Sequence, residues 1–329
     1  KMSKSLGNVV GPQTVTEESG AEILRLWVVA SDYSEDLKIG PEILKHQIDA
    51  YRRLRNTLRY LIGNLNGYEA QDALPTAEMP ELEQWVLHRL WQLDRHVRTS
   101  CAVYDFHGLF RELYNFCTVD LSAFYFDIRK DCLYCDPTDS TARRDAQTVL
   151  AQLFDCLTAW LAPILCFTAE EAWLQRNPGD DQSVHLRTFP NIPDAWRNET
   201  LGEKWSKIRQ VRRVVLGALE IERAEKRIGS SLQAAPTVYM TADYAAALED
   251  IDLAEIAITS GAVLQIGSAP ANAFALPDAD GIGVVPTKAE GEKCERCWKV
   301  LPDIGSDPDY KDICGRCADA VRGFQAAAE

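Results

Sequence analysis

Four cysteines toward one end of the sequence have the types and spacing to hold a metal ion. Cys294-Glu-Arg-Cys297 and Cys314-Gly-Arg-Cys317 are two C-x-x-C pairs with sixteen residues between them. Two such knuckles can bring four thiolates to the corners of a tetrahedron. Zn²⁺ suits that donor set, because soft thiolates bind it well and its filled d shell imposes no competing geometry. Protein atoms would take all four positions and leave none for water, so the ion expected is structural, not catalytic. Gly315 is expected to ease a tight knuckle turn, where backbone N–H groups can reach sulfur. Two disulfides or free thiols are the plainer alternative, and the spacing favours the metal. A further pair, Cys132-Leu-Tyr-Cys135, has no matching second pair and no βαβ pattern around it, and reads as incidental.

At the other end, Lys1-Met-Ser-Lys-Ser5 runs into Leu6-Gly-Asn8. Two lysines three apart, with hydroxyls and a flexible glycine, can wrap a polyphosphate, since each ammonium is a point charge with three donors. Such a loop would stabilise charge developing on a leaving pyrophosphate. By spacing alone it is equally a solvated basic terminus. His46, His88, His96, His107 and His185 are dispersed and form no site.

These groups need elements to position them. After a helix carrying Ile23, Leu24, Trp27 and Val28, Gly40-Pro41 marks a helix start. Leu44, Ile48, Tyr51, Leu54, Leu58, Leu61 and Leu65 then recur at three- and four-residue steps, which is one apolar helical face. A second helix is expected after Pro80, with Leu82, Trp85, Val86, Leu90, Leu93 and Val97 inward. A third is expected from about Gly108 through Phe124, and a fourth from about Ala142 to a break at Pro163. Thr168-Ala-Glu-Glu171 has capping-box spacing for a restart. Four such helices with modest connections imply an antiparallel bundle. Another helix is expected over 203–227. Beyond it Thr237-Val-Tyr-Met240, Ile256-Ala-Ile-Thr259 and Val263-Leu-Gln-Ile266 read as short strands around a helix at 244–251, a small α/β unit. Residues 267–285 are ambiguous.

The 329 residues carry 35 Lys+Arg against 49 Asp+Glu, a formal net charge of −14. Bulk charge therefore excludes a general grip on nucleic acid and leaves only local patches. Two are present. Arg52, Arg55 and Arg59 form a stripe beside an apolar face, and residues 204–227 hold eight positive residues against three glutamates, among them Arg212, Arg213 and Arg227. Solvated faces or internal ion pairs would account for them as well. The longest apolar run, 157–167, is too short for a bilayer and contains Pro163. No leader pattern is seen, and the six scattered cysteines fit a reducing, cytoplasmic setting. The first residue is Lys1, not Met, so the chain is expected to be a piece of a longer protein.

The literal string at the start resembles the KMSKS signature of class I aminoacyl-tRNA synthetases. Ser31-Asp-Tyr-Ser-Glu-Asp36, Tyr51-Arg-Arg-Leu-Arg-Asn-Thr-Leu-Arg59, Ala224-Glu-Lys-Arg-Ile-Gly-Ser-Ser-Leu232 and Ile258-Thr-Ser-Gly261 are similar to the isoleucyl branch. Lys293-Cys-Glu-Arg-Cys-Trp298 and Ile313-Cys-Gly-Arg-Cys317 look like its closing zinc module. The resemblance spans the chain in order. It implies a mainly α fold: 1–40 as the KMSKS loop and end of a catalytic domain, 41–200 as an anticodon-binding bundle, 201–285 as a long helix with an α/β junction, and 286–329 as the zinc module. It implies a parent that activates isoleucine with ATP and magnesium and transfers it to tRNA(Ile). Lys4 would contact ATP phosphates, Lys1 would be secondary, and Ser3 and Ser5 would shape the loop. Cys294, Cys297, Cys314 and Cys317 would hold one zinc. Arg52, Arg55, Arg59, Arg212, Arg213, Arg227 and Trp298 are the tRNA-binding candidates. The chain alone is expected to be inactive, monomeric and unattached to membrane. Rival readings are a valyl, leucyl or methionyl relative, or a glycosylase-type zinc finger, which the acidic charge disfavours.

Overall fold

The computed structural model describes residues 2–326, apart from the side chains of Lys4 and Ala326. The chain divides into two compact units. One comprises the chain up to Asp127 together with Arg144–Arg197; the other comprises Ile128–Arg143 and everything from Asn198 on.

The first unit is helical: α1 (Pro12–Ser19), α2 (Ala21–Ala30), α3 (Pro41–Asn64), α4 (Glu81–Val103), α5 (Phe106–Asn115), the start of α6 (Phe126–Cys135), most of α7 (Thr141–Leu161) and α8 (Cys166–Arg176). Proline opens α1 and α3 at the position where a helical N–H has no partner to lose. The expected apolar faces are the buried ones. Leu54, Leu58, Leu61 and Leu65 close over α3, and Leu82, Trp85, Val86, Leu90, Leu93 and Val97 over α4. The third helix differs from expectation. Asp105 caps α5 by accepting from the Gly108 N–H at 2.9 Å. From Phe116 to Tyr125 the helix then widens to π geometry before α6 continues it. That wider turn brings Phe116, Cys117, Leu121, Phe124 and Tyr125 into the core together with Asp120, which Arg89 neutralises at 3.0 Å.

The break at Pro163 is closed from a distance. The restart is not a capping box at Thr168, because α8 begins at Cys166 and makes no local side-chain cap. Glu22 of α2 does the work instead. It accepts from the Phe167 and Thr168 N–H groups at 2.9 and 3.0 Å and from the Thr168 hydroxyl at 2.5 Å. One turn along, Arg25 donates to the Ile164 and Pro163 carbonyls at 2.9 and 2.5 Å. The carboxylate satisfies orphan donors at the positive end of α8, and the guanidinium satisfies freed carbonyls. Glu22→Ala is expected to destabilise the protein by about 2 kcal/mol, because three donors lose a buried charged acceptor. Urea unfolding checks this, and an unchanged midpoint would contradict it.

The second unit is built on α9 (Glu199–Ala224), capped by Asn198 accepting from the Leu201 N–H. Trp205, Ile208, Val211, Val215 and Leu219 form its buried face. Beside it lies a three-stranded sheet, β1 (Thr237–Met240) between β2 (Val263–Ile266) and β3 (Ile282–Val285). β1 runs parallel to β2, with Thr237 opposite Val263, and antiparallel to β3, with Val238 opposite Val284. Helix α10 (Ala242–Ala247) follows β1 where a helix was expected, but it begins two residues earlier than 244 and stops four short of 251. The segment read as a strand at Ile256–Thr259 is instead the end of α11 (Leu253–Ala257), capped by Asp252 and stopped by Ile258 in the left-handed region. β4 (Glu292–Lys293), β5 (Val300–Leu301) and α12 (Gly315–Ala326) complete the unit.

Candidate metal centre and phosphate loop

The two knuckles meet. One ligand atom from each of Cys294, Cys297, Cys314 and Cys317 lies within 4.8 Å of all the others, and all four residues are buried. The first knuckle grows from the β4–β5 ribbon. Gly291 enters it at φ +116°, where a Cβ would sit 2.3 Å from the Leu301 backbone, so only glycine fits. The Cys294 N–H donates to the Lys299 carbonyl at 2.8 Å, and the Trp298 N–H to the Cys294 carbonyl at 2.9 Å. The second knuckle sits at the start of α12. Gly315 makes no special turn there. Its N–H donates to the Asp303 carboxylate at 2.9 Å, so Asp303 caps the helix that carries Cys317. The residue that does take the left-handed conformation is Trp298, at φ +66°.

The sulfurs are surrounded by donors. The Cys297 and Cys314 N–H groups reach the Cys294 sulfur at 3.5 and 3.4 Å. The Arg296 guanidinium lies 3.6 Å from the Cys317 sulfur. Without a cation Cys297, Cys314 and Cys317 resist ionising. A hydrogen bond with Cys317, then burial, pushes Cys297 up to about 12. A hydrogen bond with Cys135 leads the causes that push Cys317 up to about 12. A divalent cation is what lets four crowded thiols ionise together, and the donor set fits zinc. The surrounding apolar packing is thin: Leu301, Ile304 and Ile313, each only partly buried.

Both knuckle arginines turn to α6. Arg316 holds Asp131 through two bonds at 2.6 and 2.8 Å and reaches Asp136 at 3.3 Å. Arg296 donates to the Cys135 and Tyr134 carbonyls at 2.5 and 3.3 Å. These carbonyls close the C-terminal end of α6, where cationic donors are favoured. Burial works to raise Asp131, yet the Arg316 hydrogen bond and the charges of Arg316, Lys299 and Arg296 hold it below the usual carboxylate range. The sequence reading missed these clamps. The pair Cys132 and Cys135, read as incidental, is split. The Cys132 thiol bonds the Arg129 carbonyl at 3.3 Å, whereas Cys135 belongs to the sulfur cluster.

At the loop end, Lys4–Leu6 is a 3₁₀ turn. The Ser3 N–H donates to the Asn8 side chain at 2.7 Å, and the Ser3 and Ser5 hydroxyls bond each other at 2.8 Å. Gly7 takes φ +64°. The two serines thus tie the turn that carries Lys4. Lys1 lies outside the described residues.

The basic candidates are mostly engaged. Arg55 grips Glu171 of α8 through two bonds at 2.6 and 2.9 Å. Arg52 meets Asp49 at 3.4 Å. Arg213 meets Asp278 at 2.9 Å, Arg212 donates to the Ile256 carbonyl, and Arg227 pairs with Glu222 and Glu225. Arg59 lies on an exposed part of α3, along a groove shared with α8. Trp298 is 60% exposed, with the Lys293 ammonium 6.0 Å from its ring centre.

The Arg55 hydrogen bonds hold Glu171 below the usual carboxylate range. Its contribution is therefore complete above the unfolded value, about 4.3, and is lost as pH falls through the lowered native value. The pair is half exposed, so the contribution expected is about 0.5 kcal/mol. Glu171→Gln should be less stable than the parent by that amount at neutral pH and equal to it in acid. A gap that persists in acid would contradict the assignment.

Three family models match the chain: tRNA synthetases class I (I, L, M and V) over residues 1–40, the anticodon-binding domain of tRNA ligase over 83–238, and the zinc finger found in FPG and IleRS over 291–320. Isoleucine–tRNA ligase of Agrobacterium fabrum is 53% identical over 327 residues, and that of Ruegeria pomeroyi is 54% identical over 325. These alignments cover 99% and 98% of this chain and 34% and 33% of the relatives. That of Mesorhizobium japonicum is 52% identical over 330 residues, 99% of this chain and 33% of the relative. The chain thus spans about a third of the length of the curated relatives it matches. Among the described residues no helix is long and apolar enough to cross a membrane. A class I signature, an anticodon-binding domain and a four-cysteine finger thus follow one another in a chain that matches the C-terminal third of these isoleucine–tRNA ligases at about half identity.

Proposed function

We propose that this chain is the RNA-binding arm and phosphate loop of an enzyme that joins isoleucine to tRNA(Ile) with ATP. The observation that carries the reading is the co-occurrence, in order, of the KMSKS string, the helical bundle and the sulfur cluster. In the parent, isoleucine carboxylate attacks ATP to give the adenylate and pyrophosphate, and a ribose hydroxyl of the tRNA then takes the acyl group. Lys4, with Lys1 secondary, would stabilise charge on the departing phosphates, by electrostatics and positioning and not by proton transfer. Ser3 and Ser5 hold the turn. Cys294, Cys297, Cys314 and Cys317 would hold one structural zinc. Four regions follow from this reading: 1–40 at the edge of the catalytic domain, 41–200 and 201–285 toward the tRNA, and 286–329 as the metal module. Magnesium accompanies ATP only in the parent, and the isolated chain is read as a cytoplasmic monomer.

Arg55, Arg212, Arg213 and Arg227 are engaged within the protein, and Arg52 holds one exposed contact to Asp49, so Arg59, Arg52 and Trp298 are the better-placed tRNA contacts. An exposed tryptophan held in a left-handed turn is suited to stacking on an unstacked anticodon base. Trp298→Ala is expected to weaken tRNA binding about tenfold, the value of one stacked base, with the unfolding midpoint unchanged. Filter binding at several salt concentrations measures both the loss and the shallow salt slope expected of few phosphate contacts. Equal binding of tRNA(Ile) and an unrelated tRNA would count against the reading. The isolated chain is also expected to show no isoleucine-dependent ATP–pyrophosphate exchange. Measurable exchange would overturn the division of labour.

A further inference from the structure

A fifth sulfur borders the metal cluster. Cys135, the last residue of α6, is 7% exposed and packs in one buried cluster with Cys294, Cys297, Cys314 and Cys317. It stands outside the four whose ligand atoms lie within 4.8 Å of one another, and Arg296 links it to Cys317. Its position is fixed from both knuckles. Arg296 uses one nitrogen for both the Cys135 carbonyl, at 2.5 Å, and the Cys317 sulfur, at 3.6 Å. Arg316 anchors Asp131 and Asp136 on either side of Cys135 in sequence, and the Lys299 ammonium adds a contact to Asp131 at 3.8 Å.

We propose that Cys135 is a reserve ligand of the metal, able to complete a four-sulfur shell in place of Cys317. The proposal rests on the zinc reading above and goes one step beyond it. Zinc favours a thiolate over water at a vacated corner. Cys317 is the ligand that shares Arg296 with Cys135, and the guanidinium draws charge from its sulfur. The step is a balanced exchange without redox change. With zinc bound, the Cys135 sulfur would take the corner that the Cys317 sulfur gives up, and the Cys135 proton would end on Cys317. The charge of the shell is the same before and after.

Four variants of the 329-residue chain test this: Cys135→Ser, Cys317→Ser, Cys314→Ser and the double variant Cys135→Ser/Cys317→Ser. Zinc per chain is measured after gel filtration. The number of bound thiolates is read from the sulfur-to-metal charge-transfer intensity of the cobalt-substituted proteins. Cys317→Ser is expected to keep one zinc and a four-thiolate spectrum. The double variant should show three thiolates and bind zinc about tenfold or more weakly. Cys314→Ser, with no reserve beside it, should behave like the double variant. A three-thiolate spectrum in Cys317→Ser would overturn the proposal. If Cys317→Ser does not fold, zinc transfer to a chelator supplies the second reading. Cys135→Ser should release zinc about tenfold faster than the parent, while Cys132→Ser releases it at the parent rate. Equal rates for Cys135→Ser and the parent would overturn the proposal. A parent chain that binds no zinc would instead overturn the zinc reading itself.

Discussion

Removal of the metal by a strong chelator is expected to unfold the segment around residues 291–320 and leave the helical first unit folded. The reason is the composition of the segment's interior. Its buried residues are the four cysteines and two small alanines, Ala318 and Ala320, flanked by partly buried Leu301, Ile304 and Ile313, and its sheet is two strands of two residues. So little apolar area cannot offset the entropy of ordering some thirty residues at about 1.5 kcal/mol each. Structural zinc supplies an apparent 10–16 kcal/mol or so in comparable small modules at neutral pH. The clamps of Arg296 and Arg316 on α6 are partly exposed and cannot replace that sum. Hydrogen exchange reads the result directly. The N–H groups of Cys294, Trp298 and Ala318, each bonded within the module, should lose protection on chelation and regain it with added zinc. Amides of α3 and α4 should not change. Cys314→Ser, which holds the metal more weakly, should lose this protection at a lower chelator concentration than the parent. Protection that survives complete metal removal would contradict a metal-dependent fold.

Trp205→Ala is expected to destabilise the second unit by about 3–5 kcal/mol, the usual cost of emptying a buried tryptophan site. Trp205 is fully buried on α9, in line with Ile208, Val211 and Val215, all likewise buried. The neighbouring helix and sheet are held by backbone bonds and cannot collapse far into the cavity, which keeps the cost high. Ile221, 42% exposed on the same helix, is the control. Ile221→Ala should shift stability by no more than about 0.5 kcal/mol. Urea unfolding followed by exchange of the β1 amides measures both. Similar effects for the two substitutions would contradict the assignment of the α9 face.

Much of this arrangement was legible in the residues, for reasons that can be named. Long helices announce themselves because seven apolar positions in α3 and six in α4, at helical spacing, leave no competing period. The knuckles were legible because sulfur ligands must come in closely spaced pairs. Short segments were less so. Ile256-Ala-Ile-Thr259 alternates like a strand, but Asp252 caps a helix four residues earlier, and a local cap outweighed a short β-branched pattern. The strand Ile282–Val285 was hidden in an Ala/Pro/Gly-rich stretch because its only period is burial against its neighbours. Long-range partners left no local signal at all. Glu22 capping α8, Arg296 and Arg316 gripping α6, and Cys135 joining the sulfur cluster are pairings across 145, 161 and more residues. Charge counts had the same blind spot. The positive run of 204–227 is real, yet Arg212, Arg213 and Arg227 spend their donors inside the protein.

The proposed tRNA-binding role predicts contacts at the anticodon end that depend on the folded metal module. Hydroxyl-radical footprinting of tRNA(Ile) with the zinc-loaded chain at low salt tests that most directly. Protection concentrated on the anticodon stem and loop, weakened by Trp298→Ala and abolished by chelation, is the predicted result. Protection confined to the acceptor end, or a footprint indifferent to the metal, would contradict it.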